Sequence, residues 1–372
     1  MKISLLTASG VRNLAPVELA PRERFNVFVG QNGQGKTNLL EAIYVVATLR
    51  SFRTSRLAEL IAFEQAPGQV GPRVGARVGA RVEKEGLTRI YEVALSPGSR
   101  KVMLDGKAMR PISRYFGGFN VVVFTPEDLA LPRGSPSDRR RFLDRAVFNQ
   151  GPEYLAAIQD YEKVLKQRNT VLKQAAQGLA ASRVDALLDV YDHQLAQLGS
   201  VVASSRAQFV STIQPALEDA FQAIGRSPHR AGVRYVSKTA GLTVDAILAH
   251  LHETHARDIA TESTQSGPHR DDLAFELDGR DAGDFASQGQ LRAIMLAWKT
   301  AELAILAKTH GELPILLLDD VSSELDPSRN EFLFEHLANQ AGQCFITTTA
   351  GSHVLLSRDR ADYRIENGQI SS

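Results

Sequence analysis

Eight consecutive residues constrain this chain more than any other stretch: Gly30, Gln31, Asn32, Gly33, Gln34, Gly35, Lys36 and Thr37, a G-x-x-x-x-G-K-T sequence. The apolar run Phe25–Val29 before it reads as a buried strand. Asn38 to about Thr48 after it reads as a helix, with Leu39, Leu40, Ile43 and Val46 apolar. A strand, a glycine-rich turn and a helix N-terminus in that order make a phosphate cradle. The glycines let backbone N–H groups wrap the anion, and the helix end adds a positive partial charge. Lys36 is placed to reach the β and γ phosphates, and the Thr37 hydroxyl to ligate Mg²⁺. The competing structural reading is an ordinary glycine-rich turn, which needs neither Lys36 nor Thr37.

A second segment supplies what such a cradle lacks. Ile315-Leu-Leu-Leu-Asp319-Asp320 buries four apolar residues and delivers two acids at a strand's C-terminal end, where α/β sheets hold ligands. Asp319 is the expected Mg²⁺ partner, through water, and Asp320 the group expected to orient an attacking water. Ala286-Ser287-Gln288-Gly289-Gln290 opens a helix one element upstream. It resembles the signature of ABC ATPases, and Ser323-Glu-Leu-Asp326 resembles their D-loop. Ser287, Gly289 and Gln290 are therefore nucleotide candidates, although taken alone the segment reads as a helix cap. Lys36, Asp320 and Ser287 are the expected catalytic groups.

Elsewhere the pattern changes twice. Residues 70–110 read as an antiparallel patch. Val74, Val78 and Val82 share one strand face, Arg73, Arg77 and Arg81 the other, and turns are signalled at Pro97-Gly98 and Asp105-Gly106. From about 137 to 225 the period is helical. One stripe runs Tyr154, Ile158, Tyr161, Leu165. A heptad seam runs Val184, Leu188, Tyr191, Leu195, Leu198, Val202, with 174–182 as the connection between them. Two antiparallel helices of roughly 30–35 Å are expected from that spacing. Strands at 273–277, 315–320 and 344–349 and a helix from Gln290 to about Lys308 complete the reading. The fold class is α/β: an ATPase-type domain of residues 1–130 and 260–372 split by a helical lobe of residues 131–259, with Trp298 in the core.

The net charge of +1 conceals an asymmetry. Residues 1–150 hold 23 basic against 13 acidic side chains and the remainder 20 against 29, so one part of the chain can face an anionic polymer. The densest basic cluster is Arg133, Arg139, Arg140, Arg141 and Arg145. Phosphate contact by Arg139, Arg140, Arg141 and Arg145 competes with a solvated helix face and with pairing to Asp138 and Asp144. The single cysteine, Cys344, excludes an intrachain disulfide and a cysteine zinc site. The absence of a long apolar core at the N-terminus and of a membrane-length apolar run points to a cytoplasmic protein with no membrane partner.

Residues 28–44, LRSFR (49–53), 122–144, SGPHRDD (266–272), 286–302 and 315–326 together resemble the RecF family over nearly the whole chain. The resemblance implies a P-loop, ABC/SMC-head-like ATPase with a short helical insertion. It implies binding of ATP, Mg²⁺ and double-stranded or gapped DNA. It further implies an ATP-dependent homodimer with two nucleotides sandwiched between subunits. The partners implied are the mediators RecR and RecO, and the role is recombinase loading in repair, replication recovery and the SOS response. Arg53 is expected near the nucleotide, and the segment containing His269, Arg270 and Asp272 is expected to couple the lobes. Asp320 stands where transport ATPases carry Glu, no switch histidine is placed after the last strand, and Thr125–Asp128 is the expected Q-loop region. The shorter Asp320 carboxylate predicts slow hydrolysis used as a switch, and the resemblance implies that DNA stimulates it. The other readings of the same motifs are an ABC transporter subunit, a phosphoryl-transfer kinase and an SMC-type tether.

Overall fold

A computed structural model describes residues 1–54, 56–62, 75–151, 153–225 and 228–371. The chain forms two compact units, Met1–Leu129 with Glu302–Ser372, and Ala130–Ala301. In chain order the first unit opens with β1 (Lys2–Ser9), β2 (Val17–Leu19), β3 (Phe25–Val29) and α1 (Lys36–Thr48). It continues with β4 (Ala76–Lys84), β5 (Leu87–Ser96), β6 (Ser99–Leu104), β7 (Lys107–Ala108), β8 (Val121–Phe124) and α2 (Pro126–Leu129). The second unit follows with α3 (Pro136–Phe148), α4 (Glu153–Ala176), α5 (Ala181–Gly225), β9 (Ala231–Val236), α6 (Val244–Glu253) and α7 (His255–Ala260). It then adds β10 (Asp272–Leu277), β11 (Arg280–Asp281), α8 (Ala282–Phe285) and most of α9 (Gln288–His310). The chain ends in the first unit with β12 (Ile315–Asp319), α10 (Pro327–Gln340), β13 (Cys344–Thr348), β14 (Arg360–Glu366) and β15 (Gln369–Ser371).

Within the first unit one sheet has the order β15-β14-β3-β13-β12-β8, and all its pairings but β14–β15 are parallel. Strands buried on both faces read as continuous apolar runs, as ILLLD and CFITT do. Because β3, β12 and β13 run the same way, Gly30, Asp319 and Thr347 emerge at one edge. The other sheet, β2-β1-β4-β5-β6-β7, is antiparallel. On β4, Val78 and Val82 are buried and Arg77 and Arg81 exposed, as the alternation requires. Arg73 and Val74 lie outside the described residues. The α1 helix packs on strands of both sheets, and Leu39, Leu40, Ile43, Val45 and Val46 are fully buried there. Each such side chain contributes about 1.5–3 kcal/mol of burial free energy.

In the second unit α4 and α5 form the expected antiparallel pair. Gly178 closes the connection with φ 94°, a left-handed conformation, while Leu179 N–H returns to Gln174 O at 3.0 Å. The helices are not of equal length, however. α4 has 24 residues and α5 has 45, which at about 1.5 Å per residue is roughly 68 Å. The heptad seam ends at Val202, but the helix continues on a new apolar set, Phe209, Ile213, Leu217 and Phe221, all buried. α5 also packs against β9 and α3, and along this stretch the buried apolar residues recur every four positions instead of alternating four and three.

The expected lobe boundary at residue 259 differs from the observed one at 301. The 273–277 strand does not join the parallel sheet. It pairs antiparallel with β9 in the small sheet β11-β10-β9. Trp298, fully buried, packs its ring against Phe142, Phe209 and Phe275, which ties α9 to the second unit's core.

Candidate nucleotide site

The phosphate loop is shaped by close backbone approaches. A Cβ on Gly30 would lie 2.3 Å from Ile365 O, so only glycine lets β3 pass β14 there. Gly35 has φ 109° and starts α1, with Leu39 N–H bonding to Gly35 O at 3.0 Å. Gln34 is fastened to the β14–β15 turn: its Oε1 accepts Asn367 N–H at 2.6 Å and its carbonyl accepts Gly368 N–H at 2.9 Å. Asn13, after β1, donates to Gly33 O at 2.8 Å and accepts from Asn38 Nδ2 at 2.6 Å. The loop is thus held from outside by three elements.

Inside it, Lys36, Thr37, Asp319, Asp320, Arg53 and Glu127 converge on one cavity of about 330 Å³. The Lys36 ammonium donates to Gly30 O at 2.6 Å and Gln31 O at 3.1 Å. Burial lowers its pKa, opposed by the charges of Asp320 and Asp319. Asp319 is buried; its Oδ1 accepts from Thr37 Oγ1 at 2.9 Å and Thr347 Oγ1 at 2.8 Å. Burial raises its pKa, the two hydroxyl donors oppose that, and Glu127 and Asp320 add to it. Asp320 adopts φ 52°, fixed by its N–H to Thr347 O at 3.1 Å, and its Oδ1 is enclosed without a hydrogen-bond partner among the described residues. A threonine hydroxyl beside a carboxylate is the hard-oxygen donor set that suits Mg²⁺, and the unpartnered Asp320 Oδ1 leaves an acceptor for water. A larger depression of about 590 Å³, between the loop and β14, contains neither Lys36 nor the acid pair.

Arg53 lines this cavity and donates to Asn38 Oδ1 at 2.9 Å. The sequence reading passed over its partner, Glu41. This fully buried carboxylate receives Arg12 Nε at 2.6 Å and Nη2 at 3.0 Å, the Ser51 hydroxyl, and Arg53 at 3.6 Å. A lone acid within the apolar helix sequence LLEAIYVV was the available signal. Pro126 and Glu127, from the expected Q-loop region, also line the cavity.

The signature-like residues belong to the second unit. The exposed Ser287 caps α9: Gln290 N–H donates to Ser287 Oγ at 3.3 Å, and Ser287 N–H to Gln290 Oε1 at 2.8 Å. Arg133 donates to Gly283 O and Ala286 O at 2.9 Å each, so this arginine, grouped by sequence with the DNA candidates, instead holds the entry to the signature. Arg139 makes a two-pronged pair with Asp272 at 2.6 and 2.8 Å and bonds Gly134 O at 2.7 Å. Arg140 donates to Asp271 O at 2.8 Å. Arg141 pairs only with its helix neighbour Asp138 among the interactions described and keeps 70% of its side chain exposed. The Arg145 guanidinium lies 5.5 Å from the Phe142 ring. Internal pairing therefore accounts for Arg139 and Arg140, and Arg141 is presented outward.

The GPHRDD segment ties elements within the second unit. Arg206 on α5 donates to Pro268 O at 2.7 Å, and His269 Nδ1 meets the Tyr161 hydroxyl of α4 at 2.7 Å. Burial pushes His269 down to about 4, against its hydrogen bond to Thr264 O.

The family model of the RecF/RecN/SMC N-terminal domain matches residues 2–369. The DNA replication and repair protein RecF of Myxococcus xanthus (strain DK1622) is 42% identical, over 95% of this chain and 92% of its own length. This chain belongs to the RecF family. The RecF of Citrifermentans bemidjiense is 40% identical over the full length of both chains. A solved structure described as the recombination mediator protein RecF-ATP in the RecFOR pathway superposes with TM-score 0.87 at 28% identity, covering 99% of this chain and 96% of that one. An Smc head domain from Pyrococcus furiosus, at 14% identity and TM-score 0.52 over 99% of this chain and 95% of that one, shares the fold alone. No helix among the described residues is long and apolar enough to cross a membrane.

Proposed function

We propose that this chain is an ATP-switched DNA-binding protein of recombinational repair and replication recovery. The convergence of Lys36, Thr37, Asp319 and Asp320 on one cavity carries the nucleotide half of that reading. Gly30–Gly35 would wrap the phosphates with backbone N–H groups, Lys36 would exchange its two carbonyl partners for phosphate oxygens, and Thr37 with Asp319 would hold Mg²⁺. When bound, that ion neutralises charge on the β and γ phosphates. Asp320 offers its unpartnered oxygen to the attacking water. Its carboxylate is one methylene shorter than a glutamate's, which supports slow turnover suited to a switch.

The exposed Ser287 at the N-terminus of α9, with Gly289 and Gln290, is suited to meet the γ-phosphate held by a second copy, which would make dimerisation ATP-dependent. The relatives' names place RecF in replication, repair and the RecFOR pathway. By that likeness the partners are RecO, RecR and double-stranded or gapped DNA, in the cytoplasm, with DNA stimulating hydrolysis and recombinase loading as the outcome. Full-length likeness to repair proteins favours this reading over a transport-ATPase subunit.

Light scattering on the purified chain with ATP, with ADP and without nucleotide tests the switch. A dimer in ATP alone, abolished by Ser287→Arg with ATP affinity retained, supports it. A mass independent of nucleotide overturns the gating.

A further inference from the structure

The second unit holds a cluster that the nucleotide site does not use. Asp192, on α5, is fully buried and sends its two oxygens in different directions. Oδ1 accepts from Arg168 Nε at 2.5 Å, and Oδ2 faces two imidazoles, His255 Nε2 at 2.5 Å and His252 Nε2 at 3.9 Å. Asp189, one helical turn earlier, places Oδ1 3.7 Å from the same His252 nitrogen.

We propose that His252, His255 and Asp192, completed by Asp189, bind one divalent transition cation of the zinc type. One ligand atom from each of the first three lies within 4.8 Å of the others. In a tetrahedral site with bonds of about 2.0–2.1 Å, ligand atoms sit about 3.3 Å apart, so the separations among these atoms need to change by no more than roughly 1.5 Å. The donor set, two imidazole nitrogens and carboxylate oxygens, suits Zn²⁺, Co²⁺ or Ni²⁺ and not the all-oxygen preference of Ca²⁺ or Mg²⁺.

Local structure sets up this meeting. Asp189 and Asp192 are three apart on α5. His252 and His255 are three apart across Thr254, which ends α6 and begins α7. Arg168 of α4 fixes the Asp192 carboxylate and also bonds Asp258 of α7 at 2.7 Å, as an orienting partner behind a metal ligand does. Exposure is graded outward from Asp192 at 0% through His255 at 24% to His252 at 45%, which leaves an entry path from solvent. Bound metal would staple α5 to the α6–α7 junction and raise the stability of this unit.

The test is a Co²⁺ titration of the full chain after treatment with chelator, read by visible absorption, with thermal unfolding in the presence and absence of Zn²⁺. The expected result is one Co²⁺ per chain with the intense band of a four-coordinate site. Zn²⁺ should displace it and raise Tm by a few degrees. His252→Ala with His255→Ala should remove both effects, while His250→Ala, next to the cluster, keeps them. If the double variant does not fold, His252→Ala alone, at a half-exposed position, should weaken Co²⁺ binding at least about 10-fold. Absence of the band, or a band that survives loss of His252, overturns the site and leaves only a histidine–aspartate hydrogen-bond cluster with adventitious surface metal.

Discussion

The nucleotide cavity of the first unit and the ion-pair core of the second handle charge in opposite ways. In the core, Arg206 is 2% exposed and its guanidinium donates to both oxygens of Asp144, to the Tyr154 hydroxyl and to Pro268 O. The Asp144 carboxylate also receives the Tyr154 hydroxyl at 2.5 Å. At the cavity, Lys36 rests on two backbone carbonyls that a phosphate could replace, and Asp320 Oδ1 is enclosed with no donor among the described residues. A charge whose partners are all protein is structural; a charge left with exchangeable or missing partners is available for a ligand.

Variants can break this contrast. Removing one partner of the buried pair, as in Arg206→Met, leaves Asp144 uncompensated and should cost about 3–5 kcal/mol in denaturant unfolding. Lys36→Ala should cost under about 1 kcal/mol while abolishing nucleotide binding. Equal destabilisation by the two would erase the distinction.

His269 sharpens it on the core side. Its folded-state pKa lies below the unfolded value, so its contribution is fully present above about pH 6.5 and is lost as pH falls toward 4. About 3 kcal/mol of stability should disappear over that window, and His269→Gln should flatten the profile. A profile unchanged by the substitution would show that the ring does not titrate as its burial requires.

Asp319 sharpens it on the cavity side, with the opposite sign. Burial holds this carboxyl above its ordinary value, so ionising it costs more in the fold than in the unfolded chain. Asp319→Asn should leave Tm unchanged or higher, since the amide oxygen can still accept from Thr37 and Thr347, while Mg²⁺-dependent ATP affinity falls about 10–100-fold. The smallest effect belongs to Arg141. Arg141→Ala should change stability by under about 0.5 kcal/mol and reduce the salt slope of DNA binding by about one. A matching slope change in Arg139→Ala, without loss of stability, would contradict the assignment of Arg139 to Asp272.

Much of this was legible in the sequence, because the site rests on local patterns. Glycine spacing places the phosphate loop, and an apolar run ending in acids places Asp319 and Asp320 at the same sheet edge. The second unit was less legible because its order comes from long-range pairs. Nothing near Arg133, Arg139 or Arg206 in the sequence specifies Gly283, Asp272 or Asp144 as partners. The length of α5 was hidden by the change in apolar spacing after Val202, and β14–β15 by its charged residues, although Asn367-Gly368 marks its turn.

The central claim, that nucleotide state controls DNA binding, is tested most directly by double-stranded DNA affinity at fixed salt with ATP, with ADP and without nucleotide, for this chain and for Lys36→Arg. Tight binding by the unaltered chain in ATP alone, lost in Lys36→Arg, is the predicted result. Affinity indifferent to nucleotide and to Lys36 would contradict it.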